Sequence, residues 1–486
     1  MNKKKNCGIL MHITSLPSRY GIGDLGETAH NFVDFLKNSG QQLWQILPLN
    51  IPDFTFSPYQ SPSAFANNPA LISLESLQQS GLLTEDDIIP TKTIDNFQDA
   101  YKFKNIALRK AFEQFVINDD YVIFCKKQSV WLDDYALFMA LKKHFNDTSW
   151  NEWPHKLAIR EEKSLEIYRQ QLSVDIAYHK FTQYIFNKQW HKLKSYANSN
   201  GIEIIGDLPI FIAFDSSDVW ANQELFDLDA YSNPRTVAGV PPDYFSHTGQ
   251  LWGNPHYNWF KMATTDYLWW RIRTENAFKL ADIVRIDHFR GFAGYLAVPY
   301  GDKTAVNGSW VQGPGRDFFK VLENYFGKLN FIAEDLGVIT EDVIQIKNEF
   351  NLPGMKILQF DLHITNEHAT FNAEYNSIVY TGTHDNNTTV GWYHEELGER
   401  RLLLQKIFDT KNPEKMTWEL IAIAYASESQ SVIVPMQDFL VLDSNARMNL
   451  PGSVNNKNWQ WQANTKDINT SLSTKIKELV TKHGRI

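Results

Sequence analysis

Eight short apolar runs, most of them near-continuous, recur along the chain at residues 8–14, 42–49, 202–211, 282–289, 330–336, 355–361, 377–383 and 431–439. A strand that reads apolar on both faces is buried on both, the situation of parallel strands covered by helices. Helical patterns lie between the runs. Residues 27–38 place Ala29, Phe32, Val33 and Leu36 at helical spacing and stop at Gly40, a residue suited to a helix C-terminus. Strand then helix, repeated eight times, predicts a (β/α)8 TIM barrel, an α/β fold whose active site lies at the carboxyl ends of the strands.

The spacing of the runs is uneven. With 486 residues, the chain is long for one domain, but a single catalytic barrel over residues 1–486 can carry insertions. The stretch between the second and third runs is too long for a structureless loop, and it holds helical patterns at 101–115 and 131–144. Residues 51–200 are therefore expected to form an inserted subdomain. A shorter insertion, residues 215–280, is rich in Trp, Tyr, Pro and Gly. Neither contains repeats or low-complexity sequence. The last helical pattern, around Leu472, Ile476, Leu479 and Val480, is expected to pack on the barrel rather than dock a partner.

Composition removes several classes. A net charge of −9 without a sustained Lys/Arg tract offers nothing to a polyanion, so no nucleic-acid partner is expected. The apolar run after Lys3, Lys4 and Lys5 is interrupted by His12 and lacks a small-residue cleavage site, which reads as a first strand and not a signal peptide. No segment is apolar enough to span a membrane. Cys7 and Cys125 stand far apart with no metal-ligand spacing, so the expected location is a reducing cytoplasm.

Three carboxylate segments terminate strand-like runs: Arg285-Ile286-Asp287-His288-Phe289-Arg290, Ile332-Ala333-Glu334-Asp335-Leu336-Gly337 and Thr383-His384-Asp385-Asn386-Asn387. Cleaving a glycosidic bond with retention requires one carboxylate to attack carbon and another to protonate the leaving oxygen. Alternation along a strand puts Arg285 beneath Asp287 on one face, where a guanidinium favours the ionised form a nucleophile needs. A purely structural Arg–Asp pair is the bland alternative. Glu334 ends an apolar strand, where burial near other acids raises a pKa toward that of a general acid at neutral pH; the adjacent Asp335 competes for the role. Asp385 can hold sugar hydroxyls and stabilise an oxocarbenium-like transition state. Carboxylates at successive strand ends can also bind Mg²⁺, as in enolase-type barrels. Arg285, His288 and His384 are expected to supply the positive charge instead, so no metal and no cofactor is anticipated.

These residues resemble glycoside hydrolase family 77, the 4-alpha-glucanotransferases, over essentially the whole chain. The similarity is carried by His12-Ile13-Thr14-Ser15-Leu16-Pro17, Gly21-Ile22-Gly23-Asp24-Leu25-Gly26, Ser57-Pro58-Tyr59-Gln60-Ser61 and Gly206-Asp207-Leu208-Pro209. Its most specific part is Gly239-Val240-Pro241-Pro242-Asp243-Tyr244-Phe245-Ser246 with Thr248-Gly249-Gln250-Leu251-Trp252-Gly253, which resembles a loop closing over the donor sugar. The resemblance implies that Asp287 is the nucleophile, Glu334 the general acid/base and Asp385 the stabiliser. It also implies sugar contacts from His288 and His384 with support from Asp207 and Arg285, and further substrate binding by Tyr59, Asp243, Phe245, Gln250, Trp252 and Asn458. Two positions depart from the family pattern: Asn387 stands where Asp is expected, and Lys457-Asn458-Trp459-Gln460-Trp461-Gln462 alters a Gly-Asn-Trp-x-Trp-Arg segment.

The expected reaction is retaining transfer of alpha-1,4-glucan segments between malto-oligosaccharides. The alternatives are an alpha-1,4-glucan hydrolase of the alpha-amylase type, in which water wins the second step, and a non-catalytic glucan-binding protein, disfavoured because all three acids persist. Flat aromatic rings suit glucose faces; Trp252, Tyr59 and Phe245, in Pro/Gly-rich loops beyond strands, are expected to be exposed.

Overall fold

The computed structural model describes residues 5–94, 96–242 and 246–485. Its centre is a closed barrel of eight parallel strands: β1 (Asn6–Leu10), β2 (Leu43–Gln45), β3 (Glu203–Pro209), β4 (Ile283–Asp287), β5 (Phe331–Ala333), β6 (Gly354–Ile357), β7 (Ser377–Tyr380) and β8 (Ser431–Pro435). Sequential strands are neighbours, and β8 closes on β1 with Leu10 opposite Pro435. Each of the eight apolar runs contributes one strand. The strands are shorter than the runs because the chain leaves the barrel as short helical turns such as Ile13–Ser15, Leu358–Asp361 and Met436–Phe439; the first and last of these stay buried, whereas Phe360 is exposed.

The first helix runs Glu27–Asn38, as its spacing predicts, and buries Ala29, Phe32, Val33, Phe35 and Leu36. Gly40 follows at φ +76°, donating to the Lys37 carbonyl while Gln41 donates to that of Leu36. That paired arrangement satisfies carbonyls a helix end leaves open, and it needs the left-handed residue that glycine supplies.

Between β2 and β3 lie the long helices Phe97–Gln114, Asp119–His144 and Ser173–Ser199. The asparagines Asn96 and Asn118 cap the first two by accepting from the amides of Asp99 and Tyr121. Lys104 joins the first of these helices to the loop after β1. Its buried ammonium donates to Asp24 at 2.6 Å and to the Ile72 carbonyl at 3.0 Å.

Sequence periodicity did not reveal a second sheet. Strands Gln250–Pro255, Thr236–Val240, Gly294–Pro299 and Ser309–Gln312 form it, in that order and antiparallel throughout. Half of it belongs to residues 215–280 and half to the segment after β4. Short strands bracketed by Gly and Pro carry little local signal, and their pairing is decided by the approach of two distant loops. This sheet raises Trp252 over the barrel mouth.

The last helix, Thr470–Lys482, packs Val480 beside Gly40, and the chain then turns beneath the barrel. There Arg485 is fully buried, and its guanidinium donates to the carbonyls of Asn6, Tyr425, Ser427 and Ser429. Arg485→Ala would leave several buried carbonyls unpaired, and we predict a loss of about 3 kcal/mol. A chemical-denaturation midpoint equal to that of the parent would show that Arg485 does not close the barrel base.

Candidate active site

The site begins with strand register. β3 and β4 pair with Asp207 opposite Arg285 and Pro209 opposite Asp287, so three charged groups share the inner face near the carboxyl ends. Arg285 donates to Asp207 at 2.7 Å and to Asp287 at 2.9 Å. Its side chain is 4% exposed and that of Asp207 0%, whereas Asp287 keeps 29%. The first two are thus closed beneath the third, which alone opens to a ligand.

β5 adds the second acid through an irregularity in its ladder with β4. Ile286 lies opposite Ala333, and the Glu334 amide donates to the Ile286 carbonyl. The return bond to the Glu334 carbonyl comes from Phe289, one residue later than regular parallel pairing requires. His288 is the extra residue. It adopts φ +52°, and its freed amide donates to the Glu334 carboxylate at 2.7 Å. The Leu336 amide reaches the other carboxylate oxygen at 3.3 Å. Removal from water, reinforced by the nearby Asp287 charge, nevertheless pushes Glu334 up to about 8. Asp335 turns away from this arrangement, accepting from Lys347 and the Met355 amide.

Asp385 follows β7, across the mouth from β4. Its carboxylate accepts from Asn449 at 2.7 Å, its carbonyl from Arg447 at 2.6 Å, and the Asn449 amide donates to the His384 carbonyl. With its side chain 43% exposed, Asp385 is the most open of the three acids. The Tyr59 hydroxyl donates to Asp207 at 2.7 Å and contacts His384 Nε2 at 2.9 Å, while its ring stacks on the imidazole. Tyr59 therefore links the β3–β4 charges to the β7 segment.

Several expectations change. Tyr59 and Trp252 are partly buried rather than exposed, because each is used inside the site. Trp252 sets its edge against His288 at 4.9 Å, and its indole N–H donates to Gln250. Burial drops His288 to about 4, so this ring is neutral at neutral pH and the fixed positive charge beneath the acids is that of Arg285. Asn458 is spent within its own loop, donating to the Ser453 carbonyl and accepting from the amide of Leu450 and the side chain of Asn455. Asp243 and Phe245 lie outside the described residues. Asn387 is buried and donates to both Glu395 and Glu396, so an Asp there would set a third carboxylate against two. That contact accounts for the departure from the family pattern.

Four neighbours were not assigned to the site from the sequence. Arg447 and Asn449 hold Asp385, Trp459 packs on Tyr59 and His384, and buried His12 accepts from the Leu47 amide. Their signals were faint: a basic residue and an amide ahead of Pro451-Gly452, and a histidine interrupting the first apolar run.

Comparison with known proteins agrees with this arrangement. The model of the 4-alpha-glucanotransferase family, glycoside hydrolase family 77, matches residues 11–467. A 4-alpha-glucanotransferase of Synechocystis sp. is 44% identical, covering 100% of this chain and 99% of that one. The chloroplastic/amyloplastic 4-alpha-glucanotransferase of Arabidopsis thaliana is 40% identical over 99% of this chain and 86% of its own. Among solved structures, the amylomaltase from Streptococcus agalactiae in complex with acarbose superposes with a TM-score of 0.94 at 39% identity, covering 99% of this chain and 100% of that one. Barrel, carboxylate geometry and full-length similarity together establish that the chain belongs to glycoside hydrolase family 77 and is an enzyme of the 4-alpha-glucanotransferase type.

Proposed function

We propose that transfer of alpha-1,4-glucan segments proceeds with retention, Asp287 acting as nucleophile, Glu334 as general acid and base, and Asp385 as stabiliser of the transition state. The observation that carries this reading is the contrast between two acids at adjacent strand ends. Asp287 accepts from a buried guanidinium, while Glu334 accepts only from backbone amides and is pushed up to about 8. One carboxylate is kept ready to attack and the other keeps its proton at neutral pH.

In the first step a carboxylate oxygen of Asp287 bonds to the anomeric carbon as the bond to the leaving oxygen breaks. That oxygen takes the Glu334 proton and departs as a free 4-hydroxyl. The Asp287 charge is now consumed in an ester, so one of the causes that raise Glu334 disappears and its carboxylate becomes a better base. In the second step an acceptor 4-hydroxyl gives its proton to Glu334 and attacks the same carbon, freeing Asp287. Asp385, held by Asn449, faces the ring hydroxyls, where hydrogen bonds strengthen as charge develops.

Tyr59, Trp252, His288 and His384 are proposed to line the sugar, with Gln250 orienting Trp252 and with Asp207 and Arg285 supporting the floor. Asp243 and Phe245 are proposed to bind substrate as well, and Asn458 to contribute through the loop it braces. Residues 51–200 are taken as an inserted subdomain. The substrates are malto-oligosaccharides and longer alpha-1,4-glucans, within starch or glycogen metabolism. Two free cysteines fit a cytoplasmic setting; no described helix is long and apolar enough to cross a membrane.

Maltotriose as sole substrate should yield glucose and a ladder of longer oligomers. Glucose and maltose without longer chains would replace the transferase reading by a hydrolase. Asp287→Ala and Glu334→Gln should each lower the rate with maltotriose about a thousandfold or more. A donor with a good leaving group needs no proton, so Glu334→Gln should accumulate a glycosyl-enzyme on Asp287, and Asp287→Ala none. Sugar trapped on Asp335 or Asp385 would overturn the assignment. The acid form of Glu334 persists below about 8 and is lost above it, so the first-step rate should hold through neutrality and fall as pH rises through that value. With the activated donor, Glu334→Gln should lack this basic limb. A wild-type limb in the ordinary range of a glutamate would contradict the raised pKa.

A further inference from the structure

The helix Asp119–His144 carries, near its N-terminus, a solvent-facing stripe that nothing in the structure covers. Ile123 and Val130 stand 50% and 61% exposed on it, unusual for β-branched apolar residues of a long, well-packed helix. Two acids precede Ile123, Asp119 and Asp120, and two bases follow it, Lys126 and Lys127. All four are exposed, and none takes part in an ion pair among the described residues, although their neighbours Lys110, Asp133 and Lys180 do. Within one copy the acids cannot neutralise the bases, because they stand six to eight positions apart where helical partners must be three or four apart.

The order of these residues has a symmetry. The residue positions of a regular helix, though not its chain direction, are exchanged in pairs by a two-fold axis perpendicular to its length through any residue, which relates positions equally spaced before and after it. Through Ile123 it exchanges Asp120 with Lys126 and Asp119 with Lys127. Two copies packed antiparallel with Ile123 at the centre of the contact are related by a second two-fold, perpendicular to the first and lying between the helices, and would bury Ile123 against its own counterpart. At the same time each acidic pair would face the basic pair of the other copy on both sides of the contact. A closed two-fold interface demands this kind of self-complementary patch.

We propose that this helix face is a self-association surface whose partner is a second copy of the same chain, packed antiparallel about Ile123. The occupant follows from charge. A basic or an acidic partner would match one half of the stripe and oppose the other, whereas a second copy in this register matches both. A contact confined to a few helical turns is at the small end of specific interfaces, so the association is expected to be weak, in the micromolar range, and to weaken further as salt rises. The stripe lies on the helical insertion, away from the three acids, so the inference is independent of the catalytic reading.

The test is sedimentation equilibrium of the full-length protein from low micromolar to sub-millimolar concentration at low ionic strength. Wild type should rise from the 56.2 kDa monomer toward twice that mass. The double variants D119K/D120K and K126D/K127D should each remain monomeric, because each opposes like charges across the axis. An equimolar mixture of the two should regain the dimer mass, since every opposed pair is then of opposite sign. Ile123→Glu should also abolish association, and all variants should keep wild-type maltotriose disproportionation as evidence of folding. A wild type that stays monomeric throughout, a dimer insensitive to the charge swaps, or a mixture that fails to associate would each overturn the proposal.

Discussion

Arg285 is the group on which the rest of the site depends. A guanidinium placed one step below the strand end, with its donors divided between Asp207 and Asp287, lets two carboxylates approach each other in a space largely closed to water. Without it, two carboxylates on adjacent strands would meet in a largely dry space with no donor between them. The pairing also explains why Asp207 is buried while Asp287 opens to the cleft, although register places them on the same face. Tyr59 then borrows Asp207 as an acceptor, and through its stacked ring the position of His384 follows from the same salt bridge.

The second acid takes its hydrogen bonds from backbone amides and not from a charged side chain. One extra residue at the end of β4 turns His288 left-handed, so the amide that would have continued the ladder points at Glu334. The amides orient Glu334 and lower its pKa, but removal from water outweighs them. Two acids a strand apart thereby differ in their surroundings for a structural reason: one rests on a guanidinium, the other on a displaced peptide bond. A non-glycine residue at positive φ beside reacting groups is the kind of strain that enzymes retain where geometry matters.

The third acid is arranged differently again. Asp385 stands on a loop, and the segment after β8 holds it: Arg447 on its carbonyl and Asn449 on its carboxylate. Arg447 also approaches Glu396 at 3.8 Å, one of the two acids that receive the Asn387 amide. The substitution that departs from the family pattern is thus embedded in the same network. Asn is suited there because two carboxylates already converge on its side chain.

How much of this was legible follows from the range of the interactions. The eight strands, the first helix and the three acids were readable because each depends on local pattern: near-continuous apolar runs, helical spacing, and a carboxylate where a strand must end. The antiparallel sheet, the clamp by Arg447 and Asn449, the neutrality of His288 and the use of Asn458 within its own loop were not. Each arises where segments far apart in sequence meet, and neither periodicity nor composition records which loops approach. The sequence by itself determined a barrel and the acids at its mouth, since burial on both faces leaves few other solutions for such strands. Only the tertiary structure decided which groups hold each carboxylate, because that depends on what meets it after the strands are brought side by side.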